Sequence, residues 1–395
     1  MQMEKRVTTG DYAAAYGALL SRPSLVAAYP ITPQTFIVEH ISEFIADGKM
    51  DADYMAVESE HSAMSACISA QATGIRTYTA TSSQGLALMH ETLFVAASLH
   101  LPVVMPVVNR AVASPINIWC EHNDTMPQRD TGWLQVYCED NQEVLDMVIQ
   151  AYKIAEDTRV LLPMMVNLDA FILSHTVEPV ELLDQTLVDA FLPPYKPKHA
   201  YLDPDDPMVI GSFATPDHTQ EVRYQTEMSM QMSREVIGEV TEKFADKFGR
   251  DYGGLIDTYR MEDADVALIT VGTVTSTARD VVDHLRGHGH KVGLVKLRFF
   301  RPFPTKEIQE IAEKVKAIGV YDRSISFGSG GPSWIEIRHT LYGHTDIPIM
   351  GFIGGLGGRD VTPEDVTTMF NKTIEASHGH LKPHVSWIGT RGVQP

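Results

Sequence analysis

The sequence predicts an α/β protein made of two units, each with a largely parallel sheet. Short apolar runs suited to strands alternate with segments of helical period over residues 1–175, and the alternation resumes after about residue 265. This order is typical of doubly wound parallel sheets. Polar turns follow two neighbouring strands of the first unit. Because ligands bind at the carboxyl ends of strands in such sheets, we expect a functional site at that edge.

The first unit is predicted from its apolar periodicity. Alternating strands and helices up to residue 175 indicate a doubly wound parallel sheet. The predicted strands are residues 25–29, 55–57, 76–80, 102–108, 133–136 and 161–168, and the predicted helices include residues 10–20, 36–45, 60–73 and 141–157.

Residues 53–90 organise this unit, because they contain two consecutive strand–turn–helix segments. The run at residues 55–57 suits a buried strand, after which Ser59 can cap a helix of mostly small residues that Gly74 ends. Glu60 lies at the polar turn after the first of these strands, and residues 81–85 (TSSQG) form the polar turn after the second. The small-residue helix is expected to pack closely against another backbone.

Residues 177–218 are rich in proline and predict an extended excursion, followed by a long helix over residues 219–248. We place a domain boundary near two glycines, which gives domains of residues 1–250 and 251–395. The second domain is predicted to repeat the α/β pattern. Its glycine-rich segment at residues 354–358 lacks the lysine of a phosphate-binding loop, and we interpret it as a tight turn.

Composition excludes several function classes. The net charge is −19 over 395 residues, which disfavours nucleic acid as a partner, and no apolar run reaches the length of a membrane helix. No signal peptide is visible, so we expect a cytoplasmic protein. The three cysteines (Cys67, Cys120 and Cys138) form no CxxC pair and are too few for a four-thiolate cluster.

Three residues are candidates for a functional site, and each has an alternative explanation. Arg110 follows a buried strand and could meet an anionic ligand or only a carboxylate of the protein. Thr32 lies between two prolines and could donate a hydrogen bond or only shape the turn. Glu60 could be a functional acid or a first-turn carboxylate favoured by the helix dipole. The histidines at positions 90, 122 and 175 have no metal-ligand spacing, so no metal site is predicted.

A set of motifs in fixed order resembles one family over essentially the whole chain. The chain is similar to the α subunit of multi-subunit pyruvate:ferredoxin oxidoreductases, or pyruvate synthases. One departure is Asp11, where that pattern has asparagine. The motifs are YPITP (29–33), VESEHSAMSA (57–66), TATSSQGLALMHE (79–91), NRAVASPINIW (109–119), QRDTGWLQ (128–135), HTVEPV (175–180) and GLVKLRFFRPF (293–303).

The resemblance implies a fold and a chemistry. The fold would be a pyrimidine-binding-type domain of thiamine diphosphate enzymes followed by a transketolase-C-terminal-like domain. Glu60 would hydrogen-bond the aminopyrimidine ring and so help to deprotonate the thiazolium carbon. Thr32 and Arg110 would bind the substrate carboxylate. Further cofactor contacts are implied for Pro30, Ile31, Ser83 and Gln84.

The resemblance also implies that the activity needs other chains. The sequence has no Gly-Asp-Gly motif for diphosphate and Mg²⁺. We therefore expect the Mg²⁺ and diphosphate half of the cofactor site on a β subunit, and [4Fe–4S] clusters on partner subunits that include ferredoxin-like δ and γ chains. Coenzyme A, pyruvate and ferredoxin are the implied reactants.

Two alternatives remain open. A related enzyme could act on oxalate, 2-oxoglutarate or a branched 2-oxoacid. A dicarboxylate would need a second cation near the site, whereas the motifs place Ile31 beside Thr32 and offer only Arg110 as a cation, which favours pyruvate. The chain could also be a non-catalytic scaffold subunit. The presence of Thr32, Glu60 and Arg110 together argues against the scaffold.

Overall fold

A computed structural model describes residues 4–382 and 384–392 and contains three β-sheets. The described strands are β1 (Glu4–Thr9), β2 (Leu25–Ala28), β3 (Asp53–Ala56), β4 (Thr77–Tyr78), β5 (Val104–Asn109), β6 (Leu134–Tyr137), β7 (Met164–Asp169), β8 (Val177–Leu182), β9 (Ile256–Tyr259), β10 (Val266–Thr270), β11 (Val292–Leu297), β12 (Phe299–Arg301), β13 (Ala317–Asp322), β14 (Ile349–Ile353) and β15 (Val385–Trp387). The described α-helices are α1 (Gly10–Ser21), α2 (Thr35–Ala46), α3 (Glu60–Gln71), α4 (Ser83–Leu88), α5 (His90–Ser98), α6 (Asn141–Ala155), α7 (Gln185–Phe191), α8 (Pro216–Phe248), α9 (Val274–Gly287), α10 (Thr305–Ala312), α11 (Pro332–Leu341) and α12 (Pro363–Ser377).

The first unit contains a seven-stranded sheet in the order β12-β6-β7-β5-β4-β2-β3. All pairs are parallel except β12 with β6. Helices α1 and α6 pack on it with a large shared apolar core. The predicted doubly wound parallel sheet is therefore confirmed, and the ends of β2, β4 and β5 lie at one edge, as such a sheet requires.

The prediction that the run at residues 55–57 is a buried strand is wrong. Strand β3 is the edge strand of the sheet and pairs only with β2. Its residues are largely exposed, and Met55 keeps 44% of its surface accessible. An apolar run alone does not distinguish a central strand from an edge strand, because the position depends on pairing with distant segments.

Part of the predicted excursion is regular structure. Residues 177–182 form β8, which pairs antiparallel with β1 in a separate two-stranded sheet, and α7 follows at residues 185–191. Pro179 lies opposite Val7 in this ladder. Proline is tolerated in strands that are paired on one side, which is why a proline-rich segment can still form β8. The long helix α8 begins at Pro216 rather than at residue 219 and ends at Phe248.

The second unit contains a six-stranded sheet in the order β15-β14-β13-β10-β11-β9. It is parallel from β15 to β11, and β9 pairs antiparallel with β11 at the far edge. The sequence did not indicate β9, β15 or the N-terminal β1, which are short or exposed. Helices α9 and α12 cover one face with apolar side chains, and α10 and α11 cover the other.

The two units are joined by a strand and by a buried ionic cluster. Strand β12 follows β11 in sequence but pairs with β6 of the first sheet. Lys296 and Arg298 both contact the carboxylate of Glu143 on α6, with N–O distances of 2.5 and 3.1 Å. Burial raises the pKa of Glu143, and these two cations more than offset it and leave the pKa below its ordinary value.

No helix within residues 4–382 and 384–392 is long and apolar enough to cross a membrane.

Candidate functional site

Glu60 is the first residue of α3, at the carboxyl edge of the first sheet. Ser59 caps the helix as predicted, since its Oγ accepts a hydrogen bond from the Ser62 amide at 3.2 Å. Glu60 is 93% buried, with 7% of its surface accessible. No described residue donates a hydrogen bond to its carboxylate. Neither of its oxygens is fully enclosed, so the carboxylate is open to a polar ligand that donates a hydrogen bond.

Gly85, in α4, packs closely against this carboxylate. A Cβ placed on Gly85 would lie 2.6 Å from Glu60 Oε1 and 2.6 Å from Thr81 Oγ1. Only glycine therefore lets α4 approach Glu60 this closely. The sequence placed Gly85 in a turn and did not indicate its contact with Glu60, which depends on how α3 and α4 pack.

Arg110 follows β5 and is held by backbone carbonyls rather than by carboxylates. Its Nη1 donates to the Thr32 carbonyl at 2.7 Å, and its Nε donates to the Asn117 carbonyl at 3.1 Å. The residue is 5% exposed, and burial lowers the pKa of its guanidinium. No carboxylate among the described residues forms an ion pair with it. A buried guanidinium bound only by neutral groups keeps its full charge available for an anion.

Thr32 and Arg110 lie in contact in the fold, and their roles toward a substrate stay predictions. The Thr32–Pro33 peptide is cis, and Thr32 itself is exposed. The contact is made by the Thr32 carbonyl, so the hydroxyl is not used by Arg110.

Asp124 is a buried residue that sequence reasoning did not assign to the site. Its carboxylate accepts the Arg110 amide at 2.9 Å, the Ser83 amide at 3.1 Å and the Asn109 side chain at 3.0 Å. Burial raises its pKa. One carboxylate therefore fixes the end of β5 relative to the turn before α4. The polar cluster at residues 121–124 was the available signal, but its partners are 14 and 41 residues away.

The remaining predicted cofactor contacts lie at two turns. Ser83 is buried, has a positive φ of 49°, and its Oγ donates to the Ala111 carbonyl at 2.6 Å. Gln84 is its neighbour and contacts the same hydroxyl. Pro30 and Ile31 precede Thr32, and the Ile31 amide donates to Gln34 at 3.2 Å. Their roles toward a cofactor stay predictions.

A second polar cluster lies between the two units. Ligand atoms of Cys120, His122 and Asp169 lie within 4.8 Å of one another, and all three residues are buried. His122 Nε2 lies 2.7 Å from Asp169 Oδ1, and Arg323 Nε lies 3.9 Å from Asp169 Oδ2. Burial raises the pKa of Asp169, but His122, Arg323 and a Thr273 hydrogen bond lower it further. Because a guanidinium already supplies positive charge here, we assign no metal.

Two family models match the chain. The model described as pyruvate flavodoxin/ferredoxin oxidoreductase, thiamine diP-bdg, matches residues 16–242, and the model described as pyruvate:ferredoxin oxidoreductase core domain II matches residues 264–366. The first alone covers more than half of the sequence.

Curated relatives match over nearly the whole chain. The pyruvate synthase subunit PorA of Pyrococcus abyssi is 49% identical over 389 residues, which is 98% of each chain. That of Methanocaldococcus jannaschii is 49% identical over 390 residues, with 98% of each covered. The ketoisovalerate oxidoreductase subunit VorA of Pyrococcus horikoshii is 50% identical over 387 residues, with 97% of each covered. Overall identity therefore does not separate the pyruvate and ketoisovalerate relatives.

Solved structures share the fold. A 2-oxoglutarate:ferredoxin oxidoreductase from Magnetococcus marinus matches with a TM-score of 0.74 at 19% identity, covering 95% of this chain and 66% of that one. A split-gene transketolase matches with a TM-score of 0.53 at 12% identity, covering 92% of this chain and 97% of that one. Both likenesses concern the fold, and they agree with the arrangement of two α/β units.

Proposed function

Because the chain belongs to the pyruvate:ferredoxin oxidoreductase family, we propose that it serves as the α subunit of a thiamine-diphosphate-dependent enzyme that oxidises pyruvate with coenzyme A and ferredoxin. The family is that of multi-subunit 2-oxoacid oxidoreductases, as the subunit names of its relatives indicate. The observation that carries the proposal is the buried, unpartnered Glu60 carboxylate at the sheet edge that also holds Arg110.

The residues at this edge suit the aminopyrimidine half of thiamine diphosphate. Glu60 is buried, lacks a donor among the described residues, and packs against Gly85, where a larger residue would displace its Oε1. Such a carboxylate can accept a hydrogen bond from a ring nitrogen and hold or release its proton. When bound, thiamine diphosphate supplies a carbon nucleophile and a place for the electrons that decarboxylation leaves. Pro30, Ile31, Ser83 and Gln84 are proposed to line the cofactor.

Arg110 is proposed to bind the substrate carboxylate, with help from the Thr32 hydroxyl. A guanidinium held by two carbonyls is fixed in place yet not neutralised. Its charge-assisted hydrogen bonds to a carboxylate are among the stronger ones in proteins. This arrangement supports a monocarboxylate 2-oxoacid, because Ile31 lies beside Thr32 and Arg110 is the one arginine in the motif at residues 109–119.

The diphosphate, the Mg²⁺ and the iron–sulfur clusters are proposed to lie on partner chains. The sequence lacks a Gly-Asp-Gly motif and has three cysteines, and Cys67, Cys120 and Cys138 are all buried. We propose a β subunit that closes the cofactor site, and γ and δ subunits that pass electrons to ferredoxin. The small-residue helix α3 is proposed to face the β subunit. The division into residues 1–250 and 251–395 also stays a proposal.

A branched 2-oxoacid is the second candidate substrate, because a ketoisovalerate oxidoreductase subunit is as similar to this chain as the pyruvate synthase subunits are. The deciding experiment compares ferredoxin reduction by the assembled enzyme with pyruvate, 2-oxoisovalerate and 2-oxoglutarate. We expect kcat/KM to be highest for pyruvate. A higher kcat/KM for 2-oxoisovalerate would show that the branched acid, and not pyruvate, is the preferred substrate.

The division of labour between chains has its own test. We expect the isolated chain to bind neither thiamine diphosphate nor iron tightly, because it supplies only one side of the cofactor site. Calorimetry with thiamine diphosphate and Mg²⁺, together with iron analysis, measures both. Addition of the β subunit should restore cofactor binding. Micromolar binding and stoichiometric iron in the isolated chain would contradict the proposed arrangement.

A further inference from the structure

A cavity of about 270 Å³ lies in the second unit, at the carboxyl ends of β14 and β15. These two strands are parallel, and Ile353 at the end of β14 pairs with Trp387 at the end of β15. The edge therefore corresponds to the place where parallel sheets bind ligands. The lining residues are Gly354, Gly355, Leu356, Arg359, Trp387, Ile388, Thr390 and Arg391.

The charge of this cavity is opposite to that of the chain. Its wall contains two arginines and no carboxylate, although the chain has a net charge of −19. Arg359 donates through Nη1 to the Gly389 carbonyl, a neutral group. Neither Arg359 nor Arg391 forms an ion pair with any carboxylate in the described part of the chain. Two unneutralised guanidiniums on one small cavity favour an anion, and their planar geometry suits a phosphoryl group.

The cavity also presents an aromatic surface. Trp387 keeps 38% of its surface accessible and lines the same cavity as the two arginines, while the next residue, Ile388, is buried. An exposed indole can stack on a flat ring or pack against an apolar group of a ligand. The volume is slightly below that of typical sites for drug-sized molecules, so the occupant must be small.

The glycine-rich segment at residues 354–358 connects this cavity to the site that holds Arg110. Gly354 and Gly355 line the cavity, and the Gly357 carbonyl accepts a hydrogen bond from the Asn117 side chain at 3.1 Å. The Asn117 carbonyl in turn accepts from Arg110 Nε. The segment is a turn with positive φ at three glycines, as the sequence indicated, but one of its faces borders a cavity with positive charge.

We propose that this cavity binds a small phosphate-bearing ligand, with Arg359 and Arg391 on the phosphoryl group and Trp387 against the remainder. This site goes beyond the proposed oxidoreductase function and uses none of the residues assigned to it. The phosphoryl group can come from inorganic phosphate or from a nucleoside monophosphate, and the experiment separates these two sources.

The test is calorimetric titration of the full chain with inorganic phosphate, adenosine monophosphate and adenosine. We expect both phosphate compounds to bind and adenosine to bind at least about tenfold more weakly than the monophosphate, since it lacks the anion. Tighter binding of the monophosphate than of phosphate would identify a nucleotide as the source, and equal binding would identify inorganic phosphate. Absence of binding by both phosphate compounds would overturn the proposal.

Variants assign the binding to this cavity. Arg391→Ala should weaken phosphate binding about tenfold or more, because it removes one of two guanidiniums. The matched control is Arg338→Ala, which removes another exposed arginine of the same unit, one that packs on Trp334 away from the cavity wall. Thermal unfolding by circular dichroism checks that both variants are folded. Equal weakening by the two variants, or none by Arg391→Ala, would overturn the assignment.

Discussion

Each unit has a buried carboxylate at the carboxyl edge of its sheet, and the two carboxylates are bonded very differently. In the first unit Glu60 accepts no hydrogen bond from the described residues. In the second unit Asp322, the last residue of β13, accepts the Ser333 amide at 2.8 Å and the Trp334 amide at 3.1 Å. The second carboxylate therefore completes the start of α11, whereas the first is left for a ligand.

The same contrast appears in the glycine that contacts each carboxylate. A Cβ on Gly85 would lie 2.6 Å from Glu60 Oε1, 2.8 Å from Glu60 Cγ and 2.6 Å from Thr81 Oγ1. A Cβ on Gly331 would meet Asp322 at Oδ2, Cγ and Cβ, at 2.0 to 2.7 Å. Glu60 can move away from such a group, whereas Asp322 is held by two backbone amides. We therefore expect Glu60 to serve ligand binding and Asp322 to serve stability.

Glu60→Gln should give the largest effect on activity. Glutamine keeps the size of the side chain but cannot hold or release the proton, so turnover of the assembled enzyme should fall by about a hundredfold to ten-thousandfold. Steady-state ferredoxin reduction measures this loss. Thermal unfolding should change little, because no described residue depends on the carboxylate.

The matched control for this change is Glu58→Gln. Glu58 lies two residues earlier, is exposed, and accepts a hydrogen bond from Ser62 Oγ at 2.7 Å. Its replacement should leave turnover within about twofold, since surface substitutions have small effects. Near-normal turnover of Glu60→Gln, or an equal loss in Glu60→Gln and Glu58→Gln, would contradict a special role of Glu60 in the reaction. The contrast drawn above between Glu60 and Asp322 would then fail.

Arg110→Ala should raise KM for the 2-oxoacid by roughly thirtyfold to a thousandfold, since it leaves the substrate carboxylate unpaired. The affinity for thiamine diphosphate should stay nearly constant. Arg110→Lys keeps the charge but cannot donate to both the Thr32 and Asn117 carbonyls with the same geometry, so it should recover only part of the loss. A collapse of cofactor affinity with an unchanged KM would contradict the assigned role.

The two glycines give a direct comparison of the units. Gly85→Ala should displace the Glu60 side chain and lower turnover by about tenfold, and it should also cost some stability, because the added Cβ meets the buried Thr81 hydroxyl as well. Gly331→Ala should instead lower stability by roughly 1–3 kcal/mol, because the Asp322 side chain cannot yield without losing its amide partners. Turnover and urea unfolding, measured for both variants, show which glycine matters for activity and which for stability. Similar losses of turnover in both would contradict a structural role for Asp322.

Local features of the site were predictable from sequence, and features that join distant segments were not. The Ser59 cap and the start of α3 at Glu60 follow from neighbouring residues. Asp124 was visible only as part of a polar cluster, because its partners come from two other segments. The edge position of β3 and the insertion of β12 beside β6 likewise depend on pairing across the fold, which apolar periodicity does not encode.

The smallest expected effect is a pH dependence of stability that arises from Asp322. Burial is the main cause that raises the pKa of this carboxyl from 3.8 to about 6, and its amide hydrogen bonds oppose the increase. A group with a higher pKa in the folded state holds its proton more tightly there. Between about pH 4 and pH 6 the folded chain keeps a proton that the unfolded chain has lost, so stability from this group is present at low pH and disappears as the pH rises.

Asp322→Asn removes this titration, while its carbonyl oxygen can still accept one of the two amide hydrogen bonds. We therefore expect the wild-type chain to lose about 2 kcal/mol relative to Asp322→Asn between about pH 4.5 and pH 7. Urea unfolding of both chains, followed by tryptophan fluorescence, gives the difference at each pH, and all other titrating groups cancel. Urea unfolding of Glu60→Gln over the same pH range gives the comparison for the carboxylate of the first unit. Parallel stability curves for the wild type and Asp322→Asn would show that the Asp322 carboxylate is not buried as a proton-holding group, and the contrast between the two units would then rest on hydrogen bonding alone.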